Sequence, residues 1–332
     1  THQTVNSLTW GPSGELMMSQ GLHAFSRIET PWGTEQLRQA GVWRFWPKRL
    51  RMDAFWDGAM GAHNPFGTVF DRWGQPLVLA GNGHGIYHLT PAMIRTDHFL
   101  LQASLWNQGR KFGGGDFVEN SHWPAHHQGE LVTGGYLQNT VERFSIQDRG
   151  SSFSVERLAP LIESTNTAFR IVDARFGPDG ALYLCDWCNP IIGHYQASFR
   201  HPERDRTHGR IWRVTAKDRP LVAWKSLEKA SVDELHGALK SPERWNRQMA
   251  KRVLADLPEH SEAEYNLGEI LNMCIQRGTL NDDERRAVTE ALEEPSFVKT
   301  AAAKEPGYEQ RAYSRLTDKY GPGGYGRESL SL

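Results

Sequence analysis

The fold is decided by a segment that reads Asp173-Ala-Arg-Phe-Gly-Pro-Asp-Gly-Ala-Leu-Tyr-Leu. Two short apolar stretches flank a turn from Gly177 to Gly180, in which Pro stands second and Gly fourth. Proline presets φ at the second position of such a turn, and glycine relieves the left-handed corner. The segment therefore predicts two antiparallel strands joined by a tight turn.

The same unit recurs upstream, with turn glycines at positions 14, 74, 129 and 180 and spacings of 60, 55 and 51 residues. Several units close with an aromatic or basic strand, at segments 41–46, 139–146 and 209–214. A period near 50 residues with about four short strands per unit is typical of a β-propeller blade. A β-sandwich is the alternative, but it does not need the same turn and closing strand at a fixed period. The pattern predicts a mostly β protein with about four blades of a six-bladed type of propeller.

Composition changes near Pro220, since ten of the 12 Trp and 24 of the 32 Gly lie at or before it. The Trp excess is expected to fill the wedges between neighbouring blades. Residues 1–220 are therefore predicted to form the propeller. A ring of six would lack about two blades, so further N-terminal blades or a protein partner are expected to close it, because open strand edges rarely stay unprotected.

After Pro220 the sequence predicts helices. Ser231-Val-Asp-Glu234 is a capping box, and Ser241-Pro242-Glu243 opens a second helix with Pro at its first position. That helix carries an apolar stripe of Trp245, Met249, Val253 and Leu257. Two more helices are predicted at about 262–276 and 281–294, so residues 221–300 read as HEAT-like helices and 301–332 as a poorly ordered tail.

Charge and hydropathy exclude some partners. Lys+Arg 38 against Asp+Glu 39 gives a net charge of -1, so no strong global field would attract nucleic acid. No apolar run approaches the length of a transmembrane helix. Three Cys are too few for a disulfide scaffold. Because the first residue is Thr1 and no signal peptide follows, the chain is expected to be processed or a fragment of a longer protein.

Two longer segments carry a family resemblance. They read Asp186-Trp-Cys-Asn-Pro-Ile-Ile-Gly-His-Tyr-Gln and Phe199-Arg-His-Pro-Glu-Arg-Asp-Arg-Thr-His-Gly-Arg-Ile-Trp-Arg-Val-Thr-Ala-Lys. Residues 1–220 resemble the propeller of the planctomycete-type membrane-bound dehydrogenases, which are large secreted proteins with a propeller, helical repeats and a c-type haem domain. The resemblance implies a periplasmic or other extracytoplasmic location. It also implies a haem domain or a cytochrome as electron acceptor.

That propeller in turn resembles the soluble quinoprotein sugar dehydrogenases, which bind pyrroloquinoline quinone (PQQ) and Ca²⁺ on a six-bladed ring. His2, followed by Trp10-Gly11-Pro12, is similar to the family's catalytic base. His63-Asn64-Pro65-Phe66-Gly67 is similar to an Arg-Asn-Pro-x-Gly segment that holds the quinone, and Arg170 matches one of two arginines near its end. The resemblance therefore implies that His63, Asn64 and Arg170 hold the cofactor or the substrate.

This chain departs from the quinoprotein pattern in three places. His63 replaces an arginine, the lysine expected near Gly134-Gly135-Tyr136 is absent, and only one of the two late arginines remains. PQQ carries three carboxylates, so losing these cations weakens the prediction that it binds. Ca²⁺ is compatible with propeller loops, although no segment has an EF-hand pattern.

Other polar motifs have simpler interpretations. His122, His126 and His127 are interpreted as a hydrogen-bonded loop rather than a metal site, because Pro124 opposes the helix that would align them. Cys185-Asp-Trp-Cys188 is followed by Asn189, so it is not a c-type haem motif. Carboxylates at blade ends, such as Asp186, are expected to order neighbouring turns. No metal ligand is assigned from the sequence.

Two functions remain open at this point. The first is an oxidoreductase-like propeller that oxidises a sugar or polyol, with His2 as the base and electrons passed to a haem domain or partner. The second is a non-catalytic propeller that binds carbohydrate or protein as a subunit of a larger assembly. The base-like His2 favours the first function, and the lost cationic residues favour the second.

Overall fold

A computed structural model describes residues 4–31, 33–57, 62–81, 85–90, 104–192 and 200–257. The chain divides into two units, Thr1–Val253 and Leu254–Leu332. The contacts that follow belong to the first unit. His2, the two later predicted helices and the predicted tail lie outside the described residues.

The protein is mostly β, and the strands within the described ranges form four antiparallel sheets and a separate hairpin. The first sheet has the order β1 (Asn6–Trp10), β2 (Leu16–Gln20), β5 (Gly41–Trp46), β6 (Arg51–Asp57), and β3 (Ser26–Thr30) pairs with β4 (Gly33–Leu37). The second sheet comprises β7 (Pro65–Phe70), β8 (Pro76–Ala80) and β9 (Ile86–His88). The third comprises β10 (Gly115–Phe117), β11 (Leu131–Gly135), β12 (Thr140–Arg149) and β13 (Ser152–Arg157), with β14 (Ile162–Glu163) also on β12. The fourth comprises β15 (Ile171–Phe176), β16 (Leu182–Asp186) and β17 (Arg210–Val214).

The repeating turn is confirmed. Gly14, Gly74, Gly129 and Gly180 all have positive φ, at 88, 79, 80 and 78°. The second strand of each sheet begins two residues after its turn glycine. The predicted closing strands are present as β5, β12 and β17. The period of the sequence therefore corresponds to one sheet per unit.

The first strand of each sheet contacts the first strand of the next sheet: β1 contacts β7, β7 contacts β10, and β10 contacts β15. We call these four strands the inner strands. Gly114 N donates to Val172 O at 2.8 Å between the third and fourth sheets. A Cβ placed on Gly113 would clash with Val172 O, so this close approach needs glycine. We call the end where these inner strands begin the leading end and the end where they finish the trailing end.

The core consists of apolar clusters between successive sheets. One cluster joins the first and second sheets through residues such as Trp56 and Tyr87. The next joins the second and third sheets and contains Phe112 and Phe144, whose rings meet edge to face at 5.4 Å. The third joins the third and fourth sheets through residues such as Leu184. Each sheet is thus held by the burial of its face against the next one.

Up to residue 257, where the described part of the chain ends, two α-helices follow the sheets, α1 (Val232–Leu239) and α2 (Arg244–Asp256). The capping box predicted at Ser231 and Glu234 is present in α1. Of the predicted apolar stripe, Trp245 is 39% exposed, and charged side chains of α2 also contact the trailing end. Arg244 Nη2 donates to Phe70 O at 2.8 Å, and Arg252 lies over the Trp10 ring at 5.1 Å.

None of the helices within the described ranges is both long enough and apolar enough to cross a membrane.

Candidate functional site

The sequence-predicted site residues that the structure describes lie at the leading end. His63 and Asn64 immediately precede β7, and Arg170 immediately precedes β15. His63 and Asn64 are half-buried, whereas Arg170 is buried at 8% exposure. The inner strands run side by side, so these positions belong to one end of the sheets.

Backbone carbonyl groups surround the guanidinium of Arg170. Its Nε donates to Asn189 O at 3.1 Å and its Nη2 to Pro190 O at 3.3 Å. Its Nη1 donates to Tyr136 O at 2.8 Å and to Leu137 O at 3.2 Å. An arginine side chain has five N–H donors, so one donor on Nη2 remains for another acceptor.

Arg170 keeps a positive charge in this environment. Burial lowers the pKa of its guanidinium below the ordinary value, and the Asp186 carboxylate opposes that change. Arginine nevertheless stays protonated in proteins. Carbonyl groups bind the guanidinium without neutralising it, so the leading end offers a fixed cation to an anionic or strongly polar group.

A chain of hydrogen bonds connects Asn64 to Arg170. Gly81 N donates to Asn64 O at 2.8 Å, and Tyr136 Oη donates to Gly81 O at 2.9 Å. Tyr136 O is in turn an acceptor for Arg170. Burial raises the pKa of Tyr136 to about 12, so its hydroxyl remains a donor at neutral pH. The loops of three sheets are therefore fixed relative to one another.

Asp186 shapes the loop that faces Arg170. Its Oδ1 accepts from Arg170 N at 2.8 Å and from Cys188 N at 2.9 Å. Its Oδ2 accepts from Arg210 Nε at 2.8 Å and from Trp212 Nε1 at 2.9 Å. This confirms the expectation that a carboxylate at this strand end orders a neighbouring turn. The ordered loop then directs the carbonyls of residues 189 and 190 at Arg170.

Asn189 adds a second free donor. The residue has 0% exposure, its Oδ1 accepts from Ile191 N at 3.1 Å, and its Nδ2 has no hydrogen-bond partner. A buried amide donor without a partner is uncommon and calls for an explanation. Its own carbonyl binds Arg170. The loop at residues 189 and 190 thus contains a buried amide donor without a partner and binds the Arg170 guanidinium through its carbonyl groups.

Sequence reasoning missed Tyr136 and Asn189. The sequence drew attention to the region of Tyr136 only because a lysine was expected near it. In the structure, the Tyr136 hydroxyl and carbonyl form hydrogen bonds with residues of two other sheets. Asn189 lies in the Asp-Trp-Cys-Asn-Pro segment that carried the family resemblance. That segment was the available signal, although it did not say which atoms would face Arg170.

The histidine loop is held by the backbone. His122 Nδ1 lies 2.8 Å from Pro220 O, and Ala216 N donates to His122 Nε2 at 2.8 Å. The first contact requires a proton on Nδ1 and the second a lone pair on Nε2, so His122 is the neutral Nδ1–H tautomer. Both ring nitrogens are used, which leaves neither for a metal ion.

No group of three or more His, Cys, Asp or Glu side chains suited to a metal ion occurs in the part of the chain that the structure describes. Cys185 is exposed and Cys188 is buried, and both are free thiols. Burial raises the pKa of the Cys185 thiol, and the nearby Asp173 carboxylate raises it further. A thiol with a raised pKa is a poor nucleophile at neutral pH.

A family described as a domain of unknown function, DUF7133, matches residues 84–218, which is less than half of the 332-residue chain. The match includes Tyr136, Arg170 and Asp186. No curated protein matches the chain.

Several solved structures are similar to parts of this protein. A glucose dehydrogenase is 19% identical with a TM-score of 0.42, over 64% of each chain. The soluble aldose sugar dehydrogenase from Escherichia coli, in its apo-form, is 16% identical with a TM-score of 0.38, over 54% of this chain and 59% of its own. The PQQ-bound aldose sugar dehydrogenase from Streptomyces coelicolor is 13% identical with a TM-score of 0.38, over 58% of this chain and 59% of its own. The chain therefore spans less than two thirds of each of these structures, and similarity at this level assigns no activity.

Proposed function

We propose that the four sheets are blades of a β-propeller whose leading end binds a sugar or polyol in an oxidoreductase-like reaction. The observation that carries the proposal is the buried Arg170, which keeps its charge and is connected to Asn64 through Tyr136. Loops that a rigid scaffold holds at one end of several strands are frequent sites of ligand binding. Of the residues that resemble the quinoprotein sugar dehydrogenases, His63, Asn64 and Arg170 directly precede strands at this end.

In this proposal the four sequence-predicted residues have separate roles. His2 accepts the proton of the hydroxyl group that is oxidised, because a neutral imidazole is a suitable base near neutral pH. His63, Asn64 and Arg170 hold the cofactor or the substrate. Oxidation of an alcohol also releases two electrons, and the proposal assigns their final acceptor to a haem domain or a cytochrome partner. The chain's three cysteines include no Cys-x-x-Cys-His motif of its own.

The described residues fit PQQ only in part. Arg170 uses four N–H groups on carbonyl oxygens, and Arg210 is paired with Asp186 at 2.8 Å. The remaining Arg170 donor and the Asn189 amide suit one carboxylate of PQQ and not all three. We therefore derive no reaction step through PQQ. Binding of Ca²⁺ is tested in the same titration as binding of PQQ.

The test combines binding and turnover. Purified protein is titrated with PQQ and Ca²⁺ by absorbance and then offered sugars and polyols with an artificial electron acceptor. The proposal expects turnover that His2→Ala abolishes and Arg170→Met weakens at least tenfold. Arg213→Met, which removes a half-exposed arginine at the trailing end, serves as the matched control. No turnover with any sugar or polyol would overturn the enzymatic proposal.

The second candidate is a non-catalytic propeller that binds carbohydrate or protein. The four carbonyl hydrogen bonds of Arg170 favour it, because a guanidinium that joins two loops has a structural use without any reaction. This candidate expects sugar binding, measured by calorimetry, in a protein that shows no turnover. Binding lost in Arg170→Met and kept in Arg213→Met would place that ligand at the leading end.

We also propose that the chain functions within a larger extracytoplasmic assembly of the planctomycete-type dehydrogenase kind, with residues 221–300 as HEAT-like helices. Large apolar side chains are exposed on the first and fourth sheets, where Leu8 is 65% and Ile211 75% exposed. Such exposure supports further sheets, supplied by a protein partner, at these two flanks. Pull-down of a tagged chain followed by native mass measurement tests this, and Ile211→Lys is expected to release the partner.

A further inference from the structure

The four sheets differ in how they end on the side away from the inner strands. The first and third sheets each have a fourth strand there, β6 and β13. In the second sheet, residues 105 and 106 take this place, because Leu105 N donates to Ile86 O at 2.8 Å and Ile86 N donates to Trp106 O at 3.0 Å. In the part of the chain that the structure describes, the fourth sheet ends at its third strand, β17, with no counterpart of that outer stretch.

The chain that follows β17 turns away from this edge. Ala216 N donates to His122 Nε2 at 2.8 Å, and Val222 N donates to Asp179 O at 2.9 Å, so these residues lie at the trailing end. Among the described residues, only β16 forms hydrogen bonds with the backbone of β17. Alternate residues of a strand direct their N–H and C=O groups to opposite sides, so the outer side of β17 carries a row of unpaired groups.

The arginines of β17 do not protect this edge. Outward charged side chains commonly prevent an edge strand from pairing with another chain. Here Arg210 Nε donates to Asp186 Oδ2 at 2.8 Å, and Arg213 Nε donates at 3.1 Å to a carboxylate in the turn before β16. Both charges are thus paired within their own sheet. Between them, Ile211 is 75% and Trp212 is 42% exposed.

The outer edge of the third sheet has a different composition. β13 exposes two serines and a glutamate, and it keeps its phenylalanine and valine half-buried. Such polar side chains suit an edge that faces water. β17 instead combines unpaired backbone groups with exposed side chains of types that favour strands. Its composition is that of a strand with a neighbour on each side.

We propose that β17 pairs with one extended segment of a partner polypeptide, which becomes the fourth strand of this sheet. This inference deepens the assembly proposed above and rests on it for the existence of a partner. The occupant of this edge is a single strand, because a single outer stretch completes each of the other three sheets. Backbone hydrogen bonds provide the affinity, and an apolar side chain opposite Ile211 covers that residue.

Amide hydrogen exchange of the full chain tests whether the edge is free. Within residues 210–214, the outward amides should exchange at least tenfold faster than the amides that pair with β16. Uniform protection of β17 in the monomer would overturn the proposal, since the edge would already be covered. Protection that increases with protein concentration would assign the edge to a second copy of this chain, and would also overturn it.

A peptide of residues 150–159 is the probe for strand pairing, because it contains β13, which completes the third sheet through six residue pairs with β12. At millimolar concentration it is expected to slow exchange of the outward β17 amides at least tenfold. The control is the same peptide with N-methyl groups on residues 154 and 155, which removes one donor from each of its edges. Equal protection by both peptides, or protection by neither, would contradict backbone pairing.

Variants assign the pairing to β17. Ile211→Lys places an outward charge on the edge and is expected to abolish the protection. Leu50→Lys, at a 70% exposed leucine directly before β6, is the matched control and should leave the protection unchanged. If Ile211→Lys does not fold, the N-methylated peptide decides. Equal protection in both variants would overturn the proposal.

The outcome is separable from the proposed function, because none of these measurements depends on turnover. A partner recovered by pull-down in whose complex the outward β17 amides still exchange fast would support the assembly and overturn the strand pairing. Peptide pairing without any recovered partner would support the strand site and count against the assembly.

Discussion

Asp186 is the residue on which the leading end depends, since one carboxylate accepts four hydrogen bonds: two from β17, one from the residue before β15 and one from the loop after β16. Burial by itself raises its pKa, but hydrogen bonds from Trp212 and from the backbone of Arg170, with the charge of Arg210, hold the pKa below its ordinary value. A carboxylate with a depressed folded-state pKa stabilises the protein above its unfolded-state pKa of about 3.9. That stability is lost as the pH falls through the folded-state value.

Asp186→Asn is therefore expected to lower the free energy of unfolding by about 1 to 3 kcal/mol at pH 7. The amide nitrogen of asparagine is itself a donor, so it cannot accept the hydrogen bonds that one oxygen of Asp186 accepts. Urea denaturation at pH 7 and at pH 3 measures the effect, and the difference from wild type should shrink at the lower pH. Asp148→Asn removes an exposed carboxylate and serves as the control. A difference that stays constant with pH would contradict the ionised role of Asp186.

The role of Arg170 shows how far residue types can predict a site. The sequence indicates an arginine directly before an inner strand, and the structure has it there. Its partners are backbone carbonyls of residues 136, 137, 189 and 190. Every residue has a carbonyl, so these partners leave no mark in the sequence, and only the folded path of two distant loops identifies them.

At the scale of elements, replacing the turn glycines by alanine should lower the free energy of unfolding by different amounts. Gly14 and Gly180 have φ of 88° and 78°, but a Cβ on Gly14 would meet nothing within 4 Å, whereas one on Gly180 would lie 2.7 Å from His122 Cβ. Gly14→Ala should lower the free energy of unfolding by about 1 to 2 kcal/mol, from backbone strain alone. Gly180→Ala should cost more because His122 is fixed through both ring nitrogens. Urea denaturation of both variants decides, and equal losses would contradict this difference.

The same elements show what a sequence can and cannot predict. The turns, closing strands and the capping box at Ser231 are local patterns, so each could be predicted from a few neighbouring residues. The face of α2 that contacts the sheets could not be predicted from neighbouring residues. Its apolar stripe suggested burial of Trp245, but the contacts are made by Arg244 and Arg247 with acidic residues more than one hundred positions earlier. Trp is likewise only partly the expected packing material, since Trp56 is buried and Trp212 is exposed.

At the scale of the whole molecule, Lys251 on α2 makes the free energy of unfolding depend on pH in the alkaline range. Burial, together with the charge of Arg247, lowers the pKa of Lys251 to about 8, against the opposing charge of Glu15. Lysine in an unfolded chain titrates near about 10.4. Between these values the unfolded state binds more protons, so the free energy of unfolding should rise with pH. Relative to Lys251→Met, wild type is expected to gain about 1 to 2 kcal/mol from pH 7.5 to pH 9.5 in urea denaturation. Parallel profiles of the two proteins would contradict this.

Arg244 determines whether the sheets and α2 unfold together. Its side chain reaches Phe70 O at the end of β7 and the Asp116 carboxylate on β10. Asp116 Oδ2 also accepts from Phe176 N, at the end of β15, at 3.2 Å. One guanidinium thus joins the ends of three inner strands to a helix that follows all the sheets.

Arg244→Met keeps the aliphatic stem but leaves Asp116 mostly buried without its cation. It should cost about 3 to 5 kcal/mol, and clearly more than Arg213→Met, since the Arg213 ion pair is exposed to solvent. Adding Asp116→Asn should recover part of the loss, because the unpaired charge is then removed. Hydrogen exchange gives the sharper test. If α2 and the sheets form one cooperative unit, amides of α2 and β11 should lose protection together in Arg244→Met. If Arg244→Met speeds hydrogen exchange in α2 alone, the helix unfolds separately from the sheets and is held at the trailing end by ion pairs alone.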